Sequence, residues 1–243
     1  MTFKNIDIDK TKMILAIGLV ALIMASSNTA AFAQVSNNIP QARKDLALKI
    51  ESIIDQMHSD HDAAVKASVA GDHVKLKQIA SDYENHKKQF EQALGQLPKG
   101  NIVKMSSTPV VPKEISSAED PVFNISGGQY GCDFNWDSVS GSGNAYTGTG
   151  WVYISANASP SMSTGTWPSC TTQQFAQEAT VTVENLWTYD TAESTGYPST
   201  TSPLVNQWFN YPYGFISGDP YVVIVTSYYA NGNQLEGTGY VNP

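Results

Sequence analysis

"GCDFNWDSVSGSGN", residues 131–144, decides how the second half of this chain folds. Asp133, Asn135 and Asp137 recur there at every second position. That spacing suits the oxygen ligands that open a calcium loop. It equally suits a β-strand whose polar side chains face water while Cys132, Phe134 and Trp136 face a core, because successive side chains alternate sides. A helix-flanked calcium loop counted from Asp133 needs Gly at its sixth position and Glu at its twelfth, and Ser138 and Asn144 stand there instead. The strand reading therefore leads, with Gly141, Gly143 and Asn144 as the turn that ends it. A looser calcium reading stays open, in which a β-domain loop gathers Asp133, Asn135, Asp137 and Asp219 around the ion. No other cofactor is expected.

The surrounding composition supports a β-domain. Residues 120–243 carry nine acids and no Lys, Arg or His, whereas residues 34–119 carry eleven bases and eleven acids. All five Trp and eleven of the twelve Tyr also fall after 120, so the domain boundary is placed there. From Val122 onward, short β-runs alternate with Gly, Pro, Ser and Asn clusters. Strands are expected near 122–126, 130–137, 145–156, 178–189, 204–211, 220–230 and 234–241. Asn231-Gly232 marks a tight hairpin between the last two. The run "PYVVIVTSYYA" is apolar on both faces, so its strand must be central or covered. Seven such strands over residues 122–243 predict a sandwich or jelly-roll-like domain. Cys132 and Cys170 are expected to staple it with one disulfide.

Ahead of it, residues 34–97 read as an antiparallel helical hairpin. Leu46, Ile50, Ile53, Met57, Ala64 and Ala67 keep a coiled-coil spacing through Asp60, and Leu76, Ile79, Tyr83, Phe90, Ala93 and Leu97 keep it through His86. A hairpin this short needs a second copy or another surface, so self-association is one expectation. All four His lie here, and zinc or copper bound by both helices is one reading of them. A polar layer in which Asp60 meets His86 is the stronger one, since His58 sits one position past the seam and should face outward. Residues 98–121 mix Pro, Ser and Lys without periodicity and are read as an extended linker with one short strand at Ile102 to Met105. The fold class expected is thus α+β in two parts.

The first 33 residues read as a signal peptide. Lys4, Lys10 and Lys12 precede the apolar run Met13 to Ala25, and Ala31-Phe32-Ala33 forms a cleavage pattern ending at Ala33. The run is shorter than the ~20 residues of a bilayer span, so the expected product is secreted or at the cell surface, without a membrane anchor after cleavage. Asn124 and Asn157 open glycosylation sequons, the second followed by Pro160.

Missing residue types limit the chemistry. Without His, Lys or Arg, the β-domain offers no imidazole base and no phosphate clamp. Its −9 charge repels nucleic acid. Carboxylate chemistry and binding survive. Asn135-Trp136, Tyr146-Thr147, Gly150, "WFNYP" at 208–212 and "ISGD" at 216–219 occur in an order that resembles the glutamic peptidases. These are secreted acidic β-sandwich enzymes that use a Gln and a Glu. The resemblance covers about half of the β-domain. It places Gln173 and Gln174 in the region of the family's Gln, without a matching motif, and no segment matches the one that carries its Glu. A carboxylate-dependent hydrolase is what it implies. Loop aromatics argue instead for binding. Trp167, Tyr197, Tyr211 and Tyr213 lie beside Pro and Gly, and with Asp219 they compose a candidate platform for glycan or cell-envelope polymer. The function expected is non-catalytic binding, and a structural surface or fibre subunit is the rival.

Overall fold

Among the described residues, two helices precede the sheet. Gly71, at φ 68°, turns the chain between α1 (Gln41–Val69) and α2 (His73–Leu94). Asp72 caps α2 by accepting the Lys75 N–H at 3.0 Å. The helices pack on each other through Ile50, Ile53, Met57, Leu76, Tyr83 and Phe90, and the Asp60–His86 layer is present, with His86 Nδ1 2.6 Å from Asp60 Oδ2. The structure, a computed structural model, describes residues 39–113, 115, 122–196, 205–230 and 232–243. The signal segment, its Ala33 cleavage site and Tyr197 therefore lie outside the described residues.

Among the described residues, eleven strands follow: β1 (Ile102–Lys104), β2 (Ser106–Thr108), β3 (Val122–Tyr130), β4 (Trp136–Ala145), β5 (Trp151–Ala158), β6 (Ser161–Thr166), β7 (Ser169–Asn185), β8 (Thr191–Gly196), β9 (Val205–Asn210), β10 (Tyr221–Tyr229) and β11 (Gln234–Val241). Ten run side by side in the order β1-β8-β7-β10-β11-β3-β4-β5-β9-β2, and β6 pairs the first part of β7. The sheet curls into a nearly closed barrel rather than the two layers of a sandwich. Residues 102–108 explain the difference. β1 adds parallel to β8 at one edge and β2 antiparallel to β9 at the other. Met105 between them donates its N–H to the Glu193 carbonyl at 2.8 Å and is buried in the interior core. Two three-residue strands thus satisfy both open edges, which a sandwich would leave exposed.

Side-chain size explains the narrow interior. Gly143 and Gly239 flank the Phe123 ring, and a Cβ on them would fall 2.3 Å and 2.8 Å from its atoms. Gly141 and Gly143 were expected as a turn and instead lie within β4, facing inward where only hydrogen fits. The turn falls at 146–150, with Gly148 at φ 73°. β10 is central, as its two apolar faces require. Tyr221, Val223 and Val225 line the barrel, while Val222 and Ile224 face the helices.

The helix pair docks on the outer face of the sheet around Trp136. Tyr83 meets the Trp136 ring edge-on at 5.2 Å, and its hydroxyl accepts the Gly128 N–H at 3.2 Å. Ser68 Oγ accepts the Trp136 N–H at 3.2 Å. His58, expected to face outward, donates to the Thr238 carbonyl at 2.7 Å because the outward side of α1 is covered by β11. Arg43, the single Arg of the chain, bonds the Trp187 carbonyl and lies 4.4 Å over the Tyr189 ring. Lys87 pairs with Glu236 at 3.4 Å. The second surface that a pair of this size needs is the chain's own sheet.

Candidate functional site

The stretch 131–137 is a tight loop entering β4, not a continuous strand. Gly131 donates its N–H to the Asn135 carbonyl at 2.8 Å, and Phe134 donates to the Gly131 carbonyl at 3.0 Å. Asp133 closes the turn: its Oδ1 accepts the Asn135 N–H at 3.2 Å and its Oδ2 accepts the Asn135 Nδ2 amide at 3.0 Å. The Cys132–Cys170 disulfide ties the loop to β7 across 38 residues of sequence. Phe134 adopts φ 67°, a left-handed conformation costly for a bulky residue and one that collects at functional sites. This reversal breaks the alternation read from the sequence. Cys132 is half-buried in its disulfide, Phe134 is turned toward the surface, and Trp136 packs under the helices rather than inside the barrel.

Four rings meet around that loop. Phe134 lies 5.3 Å from Trp167, 6.4 Å from Tyr130 and 5.9 Å from His73, between ring centroids. His73 Nδ1 also donates to the Phe134 carbonyl at 3.2 Å, so the start of α2 holds the loop in place. Trp167 is 62% exposed, and it is the one large aromatic among the exposed large hydrophobic residues described. An open groove of about 900 Å³ runs beside the rings, between Tyr130 and Phe134 on one side and His73, Lys75, Lys77 and Gln78 on the other.

Two carboxylates sit behind this ridge. Asp137 is buried at 8% exposure and accepts the Ser163 N–H at 2.9 Å. Burial pushes its carboxyl up to about 6, with the Ser163 bond opposing. Partial burial also works to raise Asp133, but the hydrogen bonds from Asn135 and Ser163 outweigh it and hold that group below its ordinary value. A Cβ on Gly131 would lie 2.5 Å from Asp133 Oδ1 and 3.2 Å from Asp137 Oδ2, so glycine is required for the two acids to share this corner. Among the described residues, no group of three or more His, Cys, Asp or Glu could hold a metal ion. The Asp133, Asn135 and Asp137 expected for calcium are adjacent, with Asp133 meeting both donors of Asn135.

The other expected site residues are placed elsewhere. Tyr211 is 1% exposed and donates its hydroxyl to the Asp190 carbonyl at 2.7 Å. It is a core ring, because Tyr211 and Phe215 donate their N–H groups to the Gly150 and Thr149 carbonyls, which holds the chain after β9 against the 146–150 turn and packs the Tyr211 ring with Phe215 and Tyr221 in the interior core. Asp219 is equally buried and accepts the Asn185 amide at 2.9 Å. Asn185 in turn accepts the N–H groups of Trp187 and Thr188, so Asp219 orients a structural turn. Tyr213 is half-buried, edge-on to Tyr211 at 5.3 Å. Only Trp167 of these joins the ridge. Asn124 and Asn157 are exposed on β3 and β5.

Phe134, Tyr130 and His73 escaped the sequence reading. The available signal was Asp133-x-Asn135 after Gly131, an aspartate-capped turn that reverses the side chain between them. No helix among the described residues is long and apolar enough to cross a membrane. No family model, no curated protein and no solved structure matches this chain.

Proposed function

We propose that this is an exported binding protein whose β-domain takes glycan or cell-envelope polymer on the Trp167–Phe134 ridge. The observation that carries the reading is Trp167 itself, a large ring left 62% exposed while braced against a second ring. A lone exposed ring is ordinary, but Trp167 is continuous with Phe134 and Tyr130, and contiguous apolar patches mark interaction sites. Sugar faces stack on rings while hydroxyls bond to amides and carboxylates, and Asn135, Asp133 and Gln78 lie around the ridge and its groove. Export rests on the N-terminal pattern of Lys4, Lys10, Lys12 and Ala31 to Ala33. The helices, taken as an antiparallel hairpin, support the platform by gripping Phe134 through His73.

A second reading, a carboxylate-dependent hydrolase, is favoured by the Asp133–Asp137 pair. Environments that push two neighbouring carboxyl groups apart divide them into an acid and a base. The experiment for the main reading is retention of the protein on isolated cell envelope, in calcium and again in chelator. Retention in both supports the ridge, and retention lost in chelator assigns the role to calcium at Asp133, Asn135 and Asp137. Release of soluble products that stops on Asp137→Asn would favour the hydrolase.

A further inference from the structure

Beyond the helix pair, the outer face of the sheet continues over β3, β4, β5, β9 and β2. Register places Asn124, Ser142, Ser155 and Asn206 in one row across it. Asn144, Tyr153, Trp208 and Thr108 form the next. The rings of Tyr153 and Tyr146 lie 5.0 Å and 5.3 Å from Trp208, and the Tyr153 hydroxyl donates to Asn206 Oδ1. Residues 140–158 and 205–210 include no charged side chain, in a half of the protein that carries nine acids elsewhere. Asn124, Ser140, Asn157 and Asn206 are exposed, and Ser142, Asn144, Tyr153 and Ser155 are half-exposed.

We propose that this face binds the extended chain of an uncharged polysaccharide, independently of the Trp167 ridge. Charge selects the occupant. Solvated outer faces of soluble sheets ordinarily carry Lys and Glu, which also guard against pairing. Here hydroxyls and amides stand at every outward polar position, and these can exchange hydrogen bonds with sugar hydroxyls without leaving an ion desolvated. The half-exposed rings of Tyr146 and Tyr153 add a stacking surface, backed by Trp208, which is itself buried at 8% exposure. Size argues against a second copy of the chain. Five strands span about 19 Å, and with β9 six residues long and β2 three the face covers less than roughly 400 Å², against about 800 Å² per partner in a stable complex. A single polymer chain needs no more than this.

The test uses the full-length protein made without N-glycosylation, because Asn124 and Asn157 lie on this face. It is pulled down on microcrystalline cellulose, chitin and insoluble β-1,3-glucan. Wild type is expected to be retained on at least one of them. The double variant Ser155→Asp with Asn206→Asp should lower retention roughly tenfold, while Lys88→Ala, exposed on α2 outside both this face and the ridge, changes it less than about twofold. Asn206→Asp alone adds charge without volume and should lower retention about threefold, which keeps the test usable if the double variant folds poorly. Wild type retained on none of the three polymers, or a folded Asn206→Asp variant retained as well as wild type, would overturn the proposal. So would a reversible dimer in sedimentation that the charged variants dissolve, because it would assign the face to a second copy.

Discussion

Trp167 stands 5.3 Å from Phe134, and Phe134 reaches it only because its backbone is held at φ 67°. An exposed ring is thus braced by a strained one, and the strain is maintained by Asp133, by His73 and by the disulfide at Cys132.

Phe134→Gly separates strain from function. Glycine adopts this conformation freely, so the variant should unfold at equal or higher urea concentration than wild type, by up to about 1 kcal/mol. It should nonetheless lose envelope binding with its ring. Phe134→Ala keeps the strain and should lose binding without any gain in stability.

The docking of the helices depends on a close approach at Gly128, where a Cβ would fall 2.6 Å from the Trp136 indole. Gly128→Ala should cost about 1–3 kcal/mol in urea denaturation. Near-ultraviolet dichroism should show the Trp136 environment changing.

Opening the disulfide should reduce stability by about 4 kcal/mol on the loop-entropy account for 38 residues. A Cys132→Ser, Cys170→Ser variant that still folds should also bind envelope more weakly, because the loop that presents Phe134 is released. Denaturant midpoints and retention, measured on the same samples, check both.

Acid dependence follows from two carboxyls, Asp137 buried and Glu184 half-buried. Asp137 is raised from 3.8 to about 6, and Glu184 from 4.5 to about 7, each chiefly by burial. Both folded values lie above the unfolded ones, so their contribution is fully present at low pH. It is lost as pH rises from about 4 through 6 for Asp137, and through 7 for Glu184. His61 works the other way: burial lowers it from 6.5, so its contribution is present above that pH and lost on acidification. Asp137→Asn should therefore flatten the fall in stability between pH 4 and 6 and leave the Glu184 part at higher pH. Urea midpoints across that range measure it.

Much of the fold was legible where a single pattern covered many residues. The helices announced themselves through Ile50, Ile53 and Met57, and β10 through its two apolar faces. What stayed hidden depended on contacts between distant segments. Ala47, Ile54, His61 and Ser68 recur every seven residues beside the seam, and this second stripe meets the sheet, as the contacts of His61 and Ser68 with Trp136 record. β1 and β2 are three residues each, too short for alternation to register, yet they turn a sandwich into a barrel. At the site, Trp167 was legible as a loop ring beside Pro168. Tyr211 looked the same in sequence, and only the pairing of its segment with the 146–150 turn, which seats the ring among Phe215 and Tyr221, buries it.

The most direct test of the central claim is titration of the intrinsic Trp fluorescence with soluble fragments of cell-envelope glycan, for wild type and Trp167→Ala in parallel. A saturable change in wild type that weakens about tenfold or vanishes in Trp167→Ala is the predicted result. No saturable change in wild type, or an identical binding curve in a folded Trp167→Ala variant, would contradict it.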